Sequence, residues 1–160
     1  MIRTRFLTLV LMCIAVASCT GVSSVTRFKE SESAQTVAQR EMLIGSWKGD
    51  VPIKNGGNRT WIIQRNNDGA YKVDFIFIDK SGAVSKHSEV GIWGTSAGFY
   101  FTATRGFVES GGFIGADTTD ATLYDIYKIT SLTQDTFEYQ NLSTGNSFIV
   151  KRIHGQANAP

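Results

Sequence analysis

From residue 44 onward, short apolar segments alternate with polar turns. In one segment Tyr71, Val73, Phe75 and Phe77 make one face wholly apolar, which is the two-residue period of a strand with one buried face. Between segments stand Gly, Asn, Asp and Ser, the residues that tight hairpin turns require. The pattern predicts eight strands, at residues 44–53, 59–65, 70–79, 83–95, 99–108, 122–132, 136–142 and 147–154.

The connections between these segments predict how the strands pair. Most are short turns, and short turns join antiparallel neighbours. An open sheet would leave two edges unpaired, whereas closure removes both. The expected fold over residues 44–154 is therefore an all-β, eight-stranded antiparallel up-and-down barrel. Its one long connection, the Gly-rich stretch 109–120, is the candidate for a lid or mouth loop.

The residues that flank the predicted barrel have a different pattern. Residues 30–43 contain neither Gly nor Pro and few apolar side chains, which predicts a short helix lying over one end of the barrel. Residues 19–29 are mostly small and polar and are expected to form a flexible tether. Residues 155–160 are expected to be a disordered tail.

The chain opens with a basic start and a short apolar run. Arg3 and Arg5 precede residues 6–17, a run of about 12 residues, whereas a membrane-spanning helix needs roughly 20. Ser18 and Cys19 follow this run, and the sequence Ala17-Ser18-Cys19 resembles the bacterial lipobox. That resemblance implies that residues 1–18 are a lipoprotein signal peptide and that Cys19 carries a diacylglycerol and palmitate-type acyl anchor. The alternative is an ordinary secretory signal followed by a chance cysteine.

The lipobox resemblance also implies a location. In lipoproteins of enterobacterial type, Asp after the lipidated cysteine retains the protein at the inner membrane, but here Thr20 follows Cys19. We therefore expect a lipid anchor in the outer membrane of a bacterial cell envelope, with the domain facing the periplasm. The membrane, reached through this anchor, is one expected partner.

Composition and charge exclude several function classes. The 160 residues, 42% of them hydrophobic, suit one folded domain. Cys13 leaves with the signal peptide and Cys19 is acylated, so the mature domain has no thiol for a disulfide, a metal or a nucleophile. The net charge of +2 falls to zero when Arg3 and Arg5 are removed, which argues against a nucleic-acid partner.

A family resemblance appears at the first strand. Gly45 and Trp47 resemble the Gly-x-Trp opening of lipocalins and the wider calycin group, and the similarity covers roughly residues 43–154. It implies that Trp47 closes the barrel base under Arg152 of the last strand, in a cation–π contact of about 0.5–2 kcal/mol. The Gly-x-Trp-x-Gly form, completed by Gly49, is also similar to the opening of haem-binding nitrobindins, but the rest of that signature is missing here.

Aromatic side chains are numerous enough to line a ligand cavity or to fill the barrel. We expect a small hydrophobic or amphipathic ligand, with one arginine orienting a carboxylate. The candidate ligand-binding residues are Trp61, Phe75, Phe77, Trp93, Phe101, Arg105, Tyr127 and Tyr139. The alternative is a filled barrel that serves as an interaction module, either an envelope assembly partner or a periplasmic protease inhibitor.

Catalytic chemistry has little support in the sequence. His87 and Glu89 share one face of a strand and could move a proton or bind a metal, but a third ligand at suitable spacing is lacking. Asp117 and Asp120, in the long loop, could suggest a cation site, but a solvated loop is the far commoner explanation of such a pair. No nucleophile elbow or phosphate-binding loop is present. We therefore expect a non-enzymatic binding protein without a metal or cofactor.

Overall fold

The computed structural model describes residues 34–54 and 56–155. The expected signal peptide, the lipidation site Cys19, the tether 19–29 and residues 156–160 of the expected tail lie outside the described residues. Within the described residues, no helix has both the length and the apolar character needed to cross a membrane.

Within the part of the chain that the structure describes, one α-helix precedes nine strands. The helix α1 spans Ala34–Leu43. The strands are β1 (Gly45–Pro52), β2 (Gly57–Arg65), β3 (Ala70–Asp79), β4 (Val84–Ser96), β5 (Phe99–Glu109), β6 (Gly112–Gly115), β7 (Tyr124–Leu132), β8 (Thr136–Asn141) and β9 (Ser147–Arg152).

The strands close into a barrel. Eight of them follow one another in the order β4, β3, β2, β1, β9, β8, β7 and β5, and a further pairing of β4 with β5 joins the two ends. Every pairing is antiparallel. The expected eight-stranded up-and-down barrel, preceded by a short helix, is therefore confirmed by strand pairing.

The long connection after β5 differs from the expectation of a plain loop. Within it β6 forms a hairpin with the end of β5, in the register Gly106↔Gly115 to Glu109↔Gly112. The reason is that β7 pairs with β5 only as far as Ala103, so the rest of that edge would otherwise lack a partner. A 3₁₀ turn, Ala121–Leu123, then leads into β7.

The helix covers one end of the barrel. The guanidinium of Arg40 lies 4.7 Å from the ring centre of Trp93, and its Nη2 donates to the carbonyl of Asn67 at 2.7 Å. Trp47 Nε1 donates to the Leu43 carbonyl at 3.0 Å. This end is closed by fully buried side chains, namely Leu43, Trp47, Arg65, Tyr100, Phe137 and Val150.

Arg152 joins the first and last strands at the same closed end. In the pairing of β1 with β9, Trp47 stands opposite Arg152, and the Arg152 guanidinium lies 4.2 Å from the Trp47 ring centre. Arg152 Nη1 donates to the Ile44 carbonyl at 2.8 Å, and Nη2 donates to that of Met42. These contacts attach the end of α1 to the seam between the two strands.

Candidate ligand-binding site

The barrel interior contains a cavity of about 340 Å³. The cavity lies between the closed end and the opposite, open end of the barrel. At the open end it is bordered by residues of turns and strand ends, among them Thr122, Thr144 and Asn146. The lining residues are Arg59, Trp61, Ile63, Tyr71, Val73, Phe75, Glu89, Tyr100, Thr102, Thr104, Thr122, Leu123, Asp125, Tyr127, Tyr139, Asn141, Thr144, Asn146 and Phe148.

Aromatic rings form one wall of the cavity. The Trp61 ring meets Phe148 edge-on with 5.9 Å between centroids, and Tyr127 meets Tyr139 in the same way at 5.1 Å. Gly49 provides the space for Trp61, because a Cβ at Gly49 would lie 2.2 Å from that ring. The second glycine of the Gly-x-Trp-x-Gly stretch therefore serves the cavity wall.

A hydrogen-bonded chain of polar side chains crosses β3, β4 and β5. Glu89 accepts a hydrogen bond from Thr104 Oγ1 at 3.1 Å, and its other carboxylate oxygen lies 2.9 Å from His87 Nε2. Because Thr104 donates to Glu89, the Tyr71 hydroxyl donates to Thr104, at 2.8 Å. Burial raises the pKa of Tyr71, and its hydrogen bond to Thr104 opposes the rise. The Glu89 carboxylate, on the cavity wall, therefore already has hydrogen-bond partners within the protein.

The His87–Glu89 pair does not extend into a metal site. Within residues 34–54 and 56–155, no three His, Cys, Asp or Glu side chains are grouped so that they could hold an ion. The His87 ring instead packs on Phe107, with 5.4 Å between centroids. The loop carboxylates Asp117 and Asp120 each bind their own following threonine, Thr119 and Thr122.

A second carboxylate lies nearer the open end. Asp125 accepts a hydrogen bond from Asn141 Nδ2 at 2.7 Å, and the carbonyl oxygen of the same amide accepts from the backbone N–H groups of Ser143 and Thr144. Burial, and after it the charge of Asp125, raises the pKa of Tyr127. Asp125, on β7, is therefore held by a hydrogen bond from Asn141, the residue that begins the turn after β8.

Arg59 is the cation of the cavity wall. Its guanidinium carbon lies 5.4 Å from the ring centre of Trp61 and 5.9 Å from that of Phe148. The Nε atom is buried and has no hydrogen-bond partner. Arg59 also lines a groove that adjoins the cavity at the open end, together with Val51, Pro52, Ile53, Lys54, Phe77, Asn146, Ser147 and Phe148.

A second inward arginine lies at the closed end. Arg65 is 1% exposed, and its Nε donates to the Tyr100 hydroxyl at 3.1 Å. Its guanidinium carbon lies 4.6 Å from the Tyr100 ring centre. Because Tyr100 lines the cavity and Arg65 does not, Arg65 supports the cavity floor from beneath.

The structure brings together four of the eight candidate ligand-binding residues, which are Trp61, Phe75, Tyr127 and Tyr139. Phe77 lies in the adjoining groove. Trp93 is 3% exposed in the core at the closed end, where its Nε1 donates to the Asn66 carbonyl at 3.1 Å.

Two further candidates, Phe101 and Arg105, do not line the cavity. Phe101 is 39% exposed, and its ring covers Gly94. Arg105 donates from Nη1 to the Tyr124 hydroxyl at 3.0 Å in an exposed contact. Aromatic residues stand on both faces of β5, and it is the inward direction of Tyr100 that turns Phe101 outward.

The sequence interpretation missed Arg59, although a signal for it was present. Arg59, Trp61, Ile63 and Arg65 follow a two-residue period in β2, and residues at that spacing share one face of a strand. Once Trp61 is assigned to the interior, both arginines must point there as well. An arginine is usually expected to face solvent, and that expectation hides the signal.

Comparisons with known proteins found a similarity to a solved structure but no match to a family model or a curated protein. The chain is similar to a solved structure of a lipocalin-like protein from Bacteroides uniformis, with 11% sequence identity and a TM-score of 0.41, over 70% of this chain and 99% of that one. The barrel itself rests on the strand pairing of this chain, which is that of a closed, eight-stranded, antiparallel β-barrel.

Proposed function

We propose that this protein binds a small hydrophobic or amphipathic molecule inside its barrel, without catalysing a reaction. The observation that carries the proposal is the cavity of about 340 Å³ with aromatic walls, closed beneath by a fully buried layer. Concave sites of about this size, lined by rings and a few polar groups, suit small-molecule ligands. A filled barrel, the alternative raised by the sequence, would lack such a space.

We also propose that binding takes place at the outer membrane, facing the periplasm, with the domain held by an acyl anchor on Cys19. The support is the sequence alone, namely the basic start, the short apolar run and the Ala-Ser-Cys ending. The intact mass of the protein isolated from its own host would show cleavage before Cys19 and an acyl addition. An unmodified Cys19 would contradict the anchor and leave the binding proposal standing.

The cavity is tested by filling it. Thr102 lines the cavity, so Thr102→Trp should lower the affinity for the neutral dye N-phenyl-1-naphthylamine by at least about tenfold. Dye fluorescence measures this affinity. Lys128→Trp places the same residue at an exposed position of β7 and should leave the affinity within about twofold.

Two results would contradict the cavity as the binding site. One is wild-type protein that does not raise the fluorescence of the dye. The other is a Thr102→Trp protein that binds the dye as the wild type does while keeping its urea unfolding midpoint. A native mass spectrum of protein purified from its host should in addition show a retained small molecule.

A further inference from the structure

We propose that the ligand is a small amphipathic anion whose acidic head group binds Arg59 and Lys54 at the open end of the barrel. This inference rests on the proposed function and names the ligand class. Carboxylates, sulfonates and phosphate monoesters share the required chemistry, because each offers oxygens to a guanidinium fork.

The state of Arg59 is the first support. Its Nε is buried without a hydrogen-bond partner, and leaving a buried charged donor unpaired is unfavourable. Among the described residues, no carboxylate forms an ion pair with Arg59. An anionic ligand bound at the guanidinium would supply the counter-charge that Arg59 lacks.

The composition of the groove is the second support. Arg59 and Lys54 are both among its lining residues, and the described lining includes no acidic side chain. The walls are otherwise largely apolar, with Pro52, Phe77 and Phe148 among them. Two cations beside apolar walls match a molecule that has one anionic end and one apolar body.

The cavity and the groove adjoin at Arg59, since Arg59, Asn146 and Phe148 line both. The carboxylates of the cavity lie elsewhere in its wall and already accept hydrogen bonds, Glu89 from Thr104 and Asp125 from Asn141. They would repel an anion that entered the cavity with its head group first. The head group is therefore placed at the groove, and the apolar body extends past Phe148 towards Trp61.

Two dyes that differ by a single anionic group test the inference. They are N-phenyl-1-naphthylamine, which is neutral, and 8-anilino-1-naphthalenesulfonate, which has the same ring system with a sulfonate. For Arg59→Gln, the affinity for the sulfonate dye should fall by about tenfold or more, since hydrogen bonds to a charged group are lost. Affinity for the neutral dye should stay within about twofold.

Matched variants separate the site from general charge. Arg105→Gln removes an equal charge from an outward-facing position and should change the affinity for neither dye. Lys54→Gln should lower the affinity for the sulfonate dye by about threefold, as the loss of an exposed charge would. Added salt should lower the affinity for the sulfonate dye more than the affinity for the neutral dye.

Each result has a distinct meaning. If Arg59→Gln leaves the affinity for the sulfonate dye unchanged, or weakens both dyes equally with an unchanged urea midpoint, the head-group site is wrong and the cavity proposal stands. If Arg59→Gln does not fold, two results together would overturn the inference: salt lowers the affinity for both dyes equally, and Lys54→Gln leaves the affinity for the sulfonate dye unchanged. If the wild type binds neither dye, the proposed function fails with it.

Discussion

At the scale of single residues, Arg152 joins chain segments that are far apart in sequence. Its guanidinium covers Trp47 of β1 and donates to the carbonyls of Met42 and Ile44, while its Nε donates to Gln134 before β8. The guanidinium thus donates hydrogen bonds to backbone carbonyls at the end of α1, where a helix has no partners of its own for them. One side chain therefore stabilises both the barrel seam and the cover of its closed end.

Replacement of Arg152 by Ala should lower the free energy of unfolding by about 2–4 kcal/mol, because a cation–π contact and several charge-assisted hydrogen bonds are lost together. Urea unfolding followed by tryptophan fluorescence measures the change. Lys151→Ala, at the exposed neighbouring position, should cost no more than about 0.5 kcal/mol. Equal losses in the two variants would show that Arg152 has no special role.

At the scale of elements, the β5–β6 hairpin depends on one close approach. A Cβ added to Gly106 would lie 2.1 Å from the Phe113 ring and 2.7 Å from the Ile114 carbonyl oxygen. Phe113 itself is 64% exposed, so β6 is held mainly by its hydrogen bonds to β5 and by this contact. After the hairpin, Thr122 and Leu123 line the cavity. The connection between β5 and β7 therefore contacts the site through its last residues, just before β7.

Gly106→Ala should loosen β6 without opening the barrel. The added methyl group must displace Phe113 and the backbone of β6, at a local cost of about 1–3 kcal/mol. Hydrogen exchange should therefore become at least about fivefold faster for the Ala116 amide, which donates to the Arg105 carbonyl. In Gly111→Ala the new Cβ meets no atom within 4 Å, and exchange should be unchanged; similar exchange in both variants would contradict the proposed contact.

At the scale of the whole molecule, buried tyrosines make stability depend on alkaline pH. Burial is the largest cause that raises the pKa values of Tyr71, Tyr100, Tyr127 and Tyr139 above the ordinary value. In the unfolded chain these phenols ionise near pH 10. Their stabilising contribution is therefore complete below that pH, and it is lost as the pH rises through their folded-state values.

We expect the free energy of unfolding to fall steeply above about pH 10, by up to roughly 1.4 kcal/mol per pH unit for each tyrosine that stays protonated in the fold. Urea titrations between pH 8 and 11 measure this slope. Tyr127→Phe should reduce this slope by about the contribution of one tyrosine. An unchanged slope in that variant would show that Tyr127 ionises within the folded barrel.

The strand positions and the barrel could be predicted from the sequence because they depend on local chemistry. The expected segment 70–79 matches β3 as formed, and the turn residues around it specify antiparallel neighbours. The short β6 was not predicted, because a Gly-rich segment such as 111–115 has no strand pattern of its own. It becomes a strand because the end of β5 offers an unpaired edge.

By itself the sequence determined the alternation within each strand and the turns, whereas the contact of Trp47 with Arg152 was implied only by the resemblance at the first strand. Tertiary structure alone decided which face of β5 is inside, that a cavity remains among the aromatic rings, and that Arg59 lies in its wall. The physical reason is that a two-residue period separates two faces without saying which is buried. That choice, and the space left over, depend on how side chains from every strand share one interior.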